Sequence, residues 1–303
     1  MFYFLTLFAL VCSFSINANT ILGEVKRPND SVLKYYFEEP ISESYPVIVN
    51  IDGSGCKSTY ISHQNAIKFG HALENLAVLT VEKYDLGPST SDCPQSFLDN
   101  NTVERRILDH LIVFEELKLK YPKWNKELIL IGGSEGGTVA SLLAGLTSGI
   151  KALVLPASGG GLTMQEEFHF FLKRNVDVCG MLDSNNLDGK FEEIFSNPTS
   201  TKNWCGTTNT YKYWANILPL RPIDTLININ IPIYIAHGTT DENVPIESSD
   251  IIKSRFDAVK KTNLTYKRYT GLNHRWEDEA GKAHTKDVLM DMFFWLKSIL
   301  TKQ

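Results

Sequence analysis

The chain has 303 residues, of which 43% are hydrophobic and 21% charged, and its formal net charge is −5. This composition is that of an ordinary globular protein, which excludes a disordered chain, a collagen-like repeat and a coiled coil. The length is sufficient for a full core in one or two domains. A mildly acidic chain has no strong electrostatic attraction to nucleic acid or anionic lipid, so neither is expected as a partner.

The first residues are expected to lie outside the fold. The segment from Phe2 to Val11 is almost entirely apolar, no charged side chain precedes Glu24, and the small residue Ala18 offers a cleavage point. The run is short for a bilayer span, so residues 1–18 are interpreted as a secretory signal peptide, although the usual basic residues are missing. An uncleaved membrane anchor is the alternative. We expect a secreted or periplasmic protein, with residues 19–303 as its folded domain and no stable membrane association after signal removal.

Cysteine usage is consistent with export. Removal of Cys12 with the signal peptide leaves an even number of cysteines, and proximity in sequence favours the pairs Cys56–Cys93 and Cys179–Cys205. Disulfides persist in oxidising compartments, so both pairs are expected to be bonded. Four buried free thiols are the alternative.

Strand-like and helix-like segments alternate along the chain. The expected strands are 45–51, 76–81, 128–131, 152–155, 231–236 and 264–269. The expected helices are 61–75, 102–121, 139–146, 248–260 and 285–300. Between about residues 163 and 228 the chain is richer in polar and aromatic residues, and an inserted helical cap is expected there. The alternation predicts an α/β fold with a mostly parallel sheet covered by helices on both faces. Ligands then bind beyond the carboxyl ends of the strands.

A glycine-rich turn follows the strand 128–131. It reads Gly132-Gly133-Ser134-Glu135-Gly136, a G-x-S-x-G pattern between a strand and a helix. A serine raised on such a crowded, strained turn needs neighbours without a Cβ atom, which makes Ser134 the candidate nucleophile. Dinucleotide and P-loop patterns do not fit, because their glycine spacing and their Gly-Lys-Ser/Thr run are absent. A purely structural turn is the alternative.

A serine nucleophile needs a base, and the base needs an orienting carboxylate. Asp241 lies just past the strand 231–236, and His274 follows the strand 264–269 and a glycine. His274 is the expected general base and then acid, with Asp241 as its orienter. His284 is expected at the surface of the last helix. His237 precedes the acid and is expected to pack at its strand end or to support the site from behind.

These motifs together resemble the α/β-hydrolase superfamily, from about Pro46 to the C-terminus. The Gly-Gly-Ser-Glu-Gly-Gly turn, the segment 237–245 and the segment 271–274 are most similar to prolyl-oligopeptidase-like and dienelactone-hydrolase-like enzymes. The resemblance implies an eight-stranded, mainly parallel sheet and acyl transfer by a Ser-Asp-His triad.

The resemblance also implies an oxyanion hole. One donor is expected to be the N–H of Glu135, the residue after the nucleophile. The family places a His-Gly pair in the loop after the early strand, whereas this chain has Asp52-Gly53. By its position after that pair, the Ser54 N–H is the expected second donor, with Cys56 as the next choice and a simple glycine-rich turn as the alternative.

Two further features each leave two interpretations open. The segment 82–85 either reaches the cleft or forms a solvated, salt-bridging loop. Aromatic residues of the cap are expected to form a small core or to line an acyl pocket; they are Phe168, Phe170, Phe171, Tyr211, Tyr213 and Trp214. The histidines lack metal-binding spacing, so neither a metal nor a cofactor is expected.

The expected function is that of an exported serine hydrolase acting on carboxylic esters or related acyl bonds of a small molecule or short peptide. A prolyl-oligopeptidase-like peptidase is one alternative, although the about 115 residues between Asn19 and Ser134 are too few for the propeller of those enzymes. A non-catalytic binding module on a hydrolase scaffold is the other.

Overall fold

The computed structural model describes residues 20–181 and 186–301. The predicted signal peptide, residues 1–18, lies outside the described residues. Within the described part of the chain, no helix has both the length and the apolar character needed to cross a membrane.

Eight strands form one sheet. They are β1 (Ile21–Lys26), β2 (Val32–Glu38), β3 (Tyr45–Ile51), β4 (Ala77–Val81), β5 (Trp124–Gly132), β6 (Ile150–Pro156), β7 (Ile233–Gly238) and β8 (Leu264–Tyr269). Their order across the sheet is β1-β2-β4-β3-β5-β6-β7-β8. The strands from β4 to β8 in this order run parallel, whereas β1 and β2 are antiparallel to their neighbours. The prediction of an eight-stranded, mostly parallel sheet is confirmed.

Helices cover both faces of the sheet. They are α1 (Tyr60–Ala72), α2 (Gln95–Asn100), α3 (Val103–Lys120), α4 (Glu135–Leu146), α5 (Met164–Lys173), α6 (Leu187–Ser196), α7 (Tyr211–Ile217), α8 (Ile223–Leu226), α9 (Ile246–Ala258) and α10 (Thr285–Leu300). Buried side chains of α1 and α10 pack on one face, and those of α3, α4 and α9 pack on the other. The helices α5 to α8 lie between β6 and β7, where the helical cap is predicted.

The central strands are apolar on both sides. In β3, Val47, Val49 and Ile51 belong to the larger core cluster, and Ile48 belongs to the smaller cluster on the opposite face. Buried parallel strands read as continuous apolar runs for this reason. The central strands are therefore buried by side chains on both faces of the sheet.

The first two strands were not among the elements expected from the sequence pattern. They form an antiparallel edge, and β1 is largely exposed. Arg27, which follows β1, makes two 2.8 Å hydrogen bonds to the Asp109 carboxylate on α3. This buried ion pair ties the edge of the sheet to the helical layer.

Both predicted disulfides are present. The Cα atoms of Cys56 and Cys93 are 5.5 Å apart, and those of Cys179 and Cys205 are 4.8 Å apart. The first disulfide joins the loop after β3 to the segment after β4, and the second lies within the region between β6 and β7.

Candidate active site

Ser134 occupies a strained turn between β5 and α4. Its backbone dihedral angles are φ 53° and ψ −130°, a combination that residues with a side chain rarely adopt. The Ser134 N–H donates to Pro156 O at 3.2 Å, and its carbonyl accepts from Ser158 Oγ at 3.1 Å. Strain held in place by surrounding hydrogen bonds is typical of functional turns.

The glycines of this turn are required by close packing. A Cβ atom on Gly136 would lie 2.2 Å from Ile51 O, and one on Gly132 would lie 2.2 Å from Gly136 O. Both contacts are with backbone atoms, which cannot move aside. The start of α4 therefore packs directly against the end of β3, as the G-x-S-x-G pattern predicts.

Asp241 and His274 lie in contact at the carboxyl ends of β7 and β8. His274 Nδ1 is 2.8 Å from Asp241 Oδ2 and 3.0 Å from Oδ1. The Asp241 side chain is fully buried, whereas the His274 side chain is 16% exposed. Backbone N–H groups of Asn243 and Val244 also donate to Asp241 Oδ1, each at 2.9 Å. These two hydrogen bonds hold the carboxylate in place independently of the imidazole.

This contact sets the protonation of the imidazole. A carboxylate only accepts hydrogen bonds, so Nδ1 of His274 carries a proton and Nε2 of the neutral ring has its lone pair available. Within residues 20–181 and 186–301, neither His274 Nε2 nor Ser134 Oγ makes a hydrogen bond. The structure brings Asp241 and His274 together and leaves the contact between Ser134 and His274 unmade.

His237 is a second histidine on the same carboxylate. It is fully buried, with Nε2 at 3.3 Å from Asp241 Oδ2 and 3.1 Å from Val244 O. Both neighbours are acceptors, so Nε2 of His237 carries a proton. Burial alone would raise the pKa of Asp241, but hydrogen bonds from His237 and His274 outweigh it and lower that pKa to about 2. His237 therefore supports Asp241 from behind, one of the two roles expected for it.

The predicted oxyanion residues lie on both sides of Ser134. Glu135 is the first residue of α4, where the partial positive charge of the helix N-terminus favours a developing negative charge. The loop after β3 passes close to the serine, since a Cβ atom on Gly53 would be 3.4 Å from Ser134 Cβ. Ser54 and Cys56 follow Gly53 in this loop, and their role as oxyanion donors stays a prediction.

The Glu135 side chain belongs to a buried network that the sequence motifs did not reveal. Glu135 Oε1 accepts from Arg106 Nη1 and Oε2 accepts from Tyr213 OH, each at 2.6 Å. All three side chains are buried. The sequence did contain an indication that Arg106 has a buried partner. Arg106 lies between Val103 and Ile107 on the apolar stripe of α3, and a charge on a buried face requires a partner.

The segment 82–85 lies against the loop after β3. Glu82 is buried and accepts from Tyr36 OH at 2.9 Å and from the Thr59 N–H at 3.1 Å. Lys83 is buried as well, and its Nζ donates to Gly55 O at 2.8 Å. The alternative of a solvated loop therefore does not hold for Glu82 and Lys83.

The helical insertion contributes a small aromatic core. Ring centroids of Trp204 and Trp214 are 5.2 Å apart, and Phe168 lies 5.4 Å from Trp214 and 5.9 Å from Trp204. These side chains pack against the main core. This arrangement favours the small-core interpretation of the cap aromatics over an acyl pocket.

Glu167 of α5 is a buried carboxyl group close to the acid–base pair. Burial, together with the charge of Asp241, raises its pKa to about 8, against a hydrogen bond with Ser248 that lowers it. Burial thus favours the neutral form of the Glu167 carboxyl group. Among the described residues, no group of three or more His, Cys, Asp or Glu side chains is placed to hold a metal ion.

Comparisons with known proteins agree with this architecture. A sequence profile of the BD-FAE family matches residues 33–256, well over half of the chain. No curated protein sequence matches the chain significantly.

Solved structures show the same fold at low identity. Est1E from Butyrivibrio proteoclasticus is 17% identical with a TM-score of 0.60, over 92% of this chain and 99% of Est1E; it has also been solved with ferulic acid bound. An esterase from Pyrococcus furiosus is 16% identical with a TM-score of 0.61, over 93% and 91% of the two chains. The acylaminoacyl peptidase of Pyrococcus horikoshii is 15% identical with a TM-score of 0.65, over 95% of this chain but only 43% of the peptidase.

The extent of the family match decides the assignment. The chain belongs to the BD-FAE family and has the α/β-hydrolase fold, which confirms the serine hydrolase class predicted from its sequence.

Proposed function

We propose that the protein is an exported esterase that cleaves carboxylic esters or related acyl bonds through Ser134, Asp241 and His274. The observation that carries the proposal is the Asp241–His274 pair, in which the carboxylate orients the ring and leaves Nε2 available. The strained turn at Ser134 lies at the same edge of the sheet. Nucleophile and oriented base at one edge are what acyl transfer requires.

The first half of the reaction forms an acyl-enzyme. Ser134 Oγ attacks the acyl carbon while His274 Nε2 takes the hydroxyl proton, and Asp241 stabilises the imidazolium that results. The N–H groups of Ser54 and Glu135 stabilise the oxyanion. The intermediate then collapses, and the leaving alcohol takes its proton from His274.

The second half releases the acid. Water attacks the acyl carbon and gives its proton to His274, which returns that proton to Ser134 Oγ as the acyl–oxygen bond breaks. Both halves need Ser134 Oγ within hydrogen-bonding distance of His274 Nε2. Such contacts often tighten only when substrate is bound.

Aromatic acyl esters are the first substrate class to test, because the Est1E structure with ferulic acid shares this fold. The fold is shared equally with an acylaminoacyl peptidase. Parallel assays on hydroxycinnamoyl esters, short p-nitrophenyl esters and amino-acyl amides separate the two activities. Faster turnover of the amides would favour the peptidase.

Export is supported by the two disulfides, since such bonds persist in oxidising compartments. N-terminal sequencing of protein secreted by an expression host tests it. Cleavage near Ala18 is expected, and a mature protein that still begins at Met1 would contradict the signal-peptide assignment.

A fluorophosphonate probe tests the nucleophile. We expect the probe to inactivate the protein and to label Ser134, and Ser134→Ala to abolish ester hydrolysis without loss of folding. Ser148→Ala, at an exposed position just after α4, is the control and is expected to keep full activity. Undiminished turnover by Ser134→Ala refutes the assignment, and a wild-type protein inert to probe and esters favours a binding module.

A further inference from the structure

Arg106 holds the first part of the loop that follows β3. Its guanidinium donates to Asp52 O through Nη2, and Nη1 lies 3.5 Å from Gly53 O. The same group pairs with the Glu135 carboxylate. One buried cation therefore connects the loop after β3 to the residue that follows Ser134.

Lys83 holds the next part of the same loop. Its ammonium donates to Gly55 O at 2.8 Å and to Ser54 O at 3.4 Å. Four successive carbonyl groups, those of residues 52–55, thus face two buried cations. In a trans peptide the C=O of one residue and the N–H of the next point in opposite directions. The N–H groups of Gly53 and Ser54 accordingly point away from Arg106, and those of Gly55 and Cys56 point away from Lys83.

We infer that Lys83 and Arg106 are positioning residues for the oxyanion hole: by holding the carbonyl groups of residues 52–55, they fix the direction of the loop N–H groups. The inference rests on the proposed function, since it concerns the oxyanion donors of that reaction. Through Gly53 O, Arg106 sets the direction of the Ser54 N–H. Through Gly55 O, Lys83 sets the direction of the N–H of Cys56, the next residue expected as a donor. A donor must lie within a few tenths of an ångström of its place to stabilise an oxyanion.

The burial of Lys83 supports a role beyond stability. Lys83 is only 7% exposed, and replacing a buried charge by an apolar side chain of similar volume is often neutral or stabilising. Burial, together with the charge of Arg106, lowers the pKa of Lys83 to about 8, although the carboxylates of Asp52, Glu135 and Glu82 raise it. The ammonium is thus maintained at neutral pH in an unfavourable environment.

Lys83→Met is the decisive variant. Arg106 is less suitable, because its removal leaves the buried Glu135 carboxylate without its cation and should destabilise the fold. We expect Lys83→Met to lower kcat by about 100-fold, the low end of the effect of losing one oxyanion donor, with KM nearly unchanged. Affinity for a boronic acid, which mimics the tetrahedral intermediate, should fall by a similar factor. The melting temperature should be unchanged or higher.

Two further variants complete the test. Lys83→Arg keeps the charge, so it is expected to restore part of kcat and to retain activity above pH 8, where the wild type declines. Lys34→Met removes a lysine near the same segment and is expected to behave as wild type.

The outcomes distinguish a failure of the Lys83 inference from a failure of the proposed function. An active wild type with an unaffected Lys83→Met variant overturns the inference alone. A loss of kcat that leaves boronic-acid affinity unchanged, or a loss matched by Lys34→Met, also overturns it. A wild type inert toward esters and boronic acid overturns the proposed function and the inference with it.

Discussion

Two sides of the site are held in position by different means. The acid–base side lies after β7 and β8, and the elbow side, which includes the strained turn at Ser134, lies after β3 and β5. Asp241 is fixed mainly by its own loop, through the N–H groups of Asn243 and Val244, and by His237 at the end of the preceding strand. Glu135 is fixed by distant side chains, Arg106 on α3 and Tyr213 on α7.

This difference sets what each side depends on. The acid–base side depends on local backbone geometry, which a short motif can encode. The elbow side depends on the docking of two helices, because its charges are satisfied only when α3 and α7 are in place. Removal of one partner of the buried Glu135 network should therefore lower stability, because the remaining charge or polar group is left unpaired.

Asp241→Asn should give the largest effect and break the acid–base side alone. An amide NH₂ at this position would donate to Nδ1 of His274, so Nε2 would carry the proton and could not act as base. We expect kcat to fall about 10⁴-fold. The melting temperature should fall as well, because the hydrogen bonds that lower the pKa of Asp241 to about 2 stabilise the folded state. Glu242→Gln, its exposed neighbour, should change kcat by about twofold at most. Near-wild-type turnover by Asp241→Asn would remove Asp241 from the mechanism.

Acid should destabilise the fold in part through His110, a buried histidine of α3 whose Nδ1 contacts Arg106 O. Burial lowers the pKa of His110 on α3 from its ordinary value of 6.5 to about 4. A histidine with a lowered folded-state pKa stabilises the fold fully above pH 6.5, and this contribution is lost as the pH falls towards 4. The loss approaches about 3 kcal/mol, while Asp241, with a pKa of about 2, stays ionised.

Urea unfolding at pH 7 and at pH 4.5 measures this loss. His110→Gln, which does not titrate, should show a smaller decrease in the free energy of unfolding between the two pH values. His169→Gln, at a partly exposed histidine, should decline as the wild type does. Equal declines for wild type and His110→Gln would contradict the assignment of the acid sensitivity to His110.

Tyr213→Phe should give the smallest of the three effects and sharpen the comparison. The variant leaves Oε2 of the buried Glu135 without a donor, which costs about 1–3 kcal/mol. Tyr211→Phe is the matched control. The Tyr211 hydroxyl donates to Glu193, and in the variant this carboxylate would still be paired with Lys190 and Lys202. Its effect on the free energy of unfolding should be about 1 kcal/mol or less. Equal losses from the two variants would mean that the Glu135 network adds nothing.

Much of the fold could be predicted because the central elements carry strong local patterns. The strand 264–269 and the helix 285–300 have the predicted bounds. The helix α4 begins at Glu135, earlier than the predicted residue 139, because the glycine-rich turn that was expected to precede it is part of its first turn. The proximity of Asp241 and His274 could be expected because both residues follow the ends of strands, β7 and β8.

The buried charges could not be predicted, because each is satisfied across a long separation in sequence. Arg106 and Glu135 are on different helices, and Tyr213 comes from the insertion between β6 and β7. Sequence shows only that a charge falls on an apolar face. Which partner neutralises it depends on the packing of elements, which periodicity does not encode. The antiparallel edge formed by β1 and β2 was missed for a related reason, since β1 is largely exposed and lacks a continuous apolar run.

The covalent link between Cys56 and Cys93 has a practical consequence for preparing this enzyme. It anchors the segment beside Ser134 to a position 37 residues further along the chain, and it forms only by oxidation after synthesis. Two batches of identical sequence can therefore share the same circular dichroism spectrum and differ in specific activity. The oxidised fraction, and not the total protein concentration, is the quantity to which turnover numbers should be normalised.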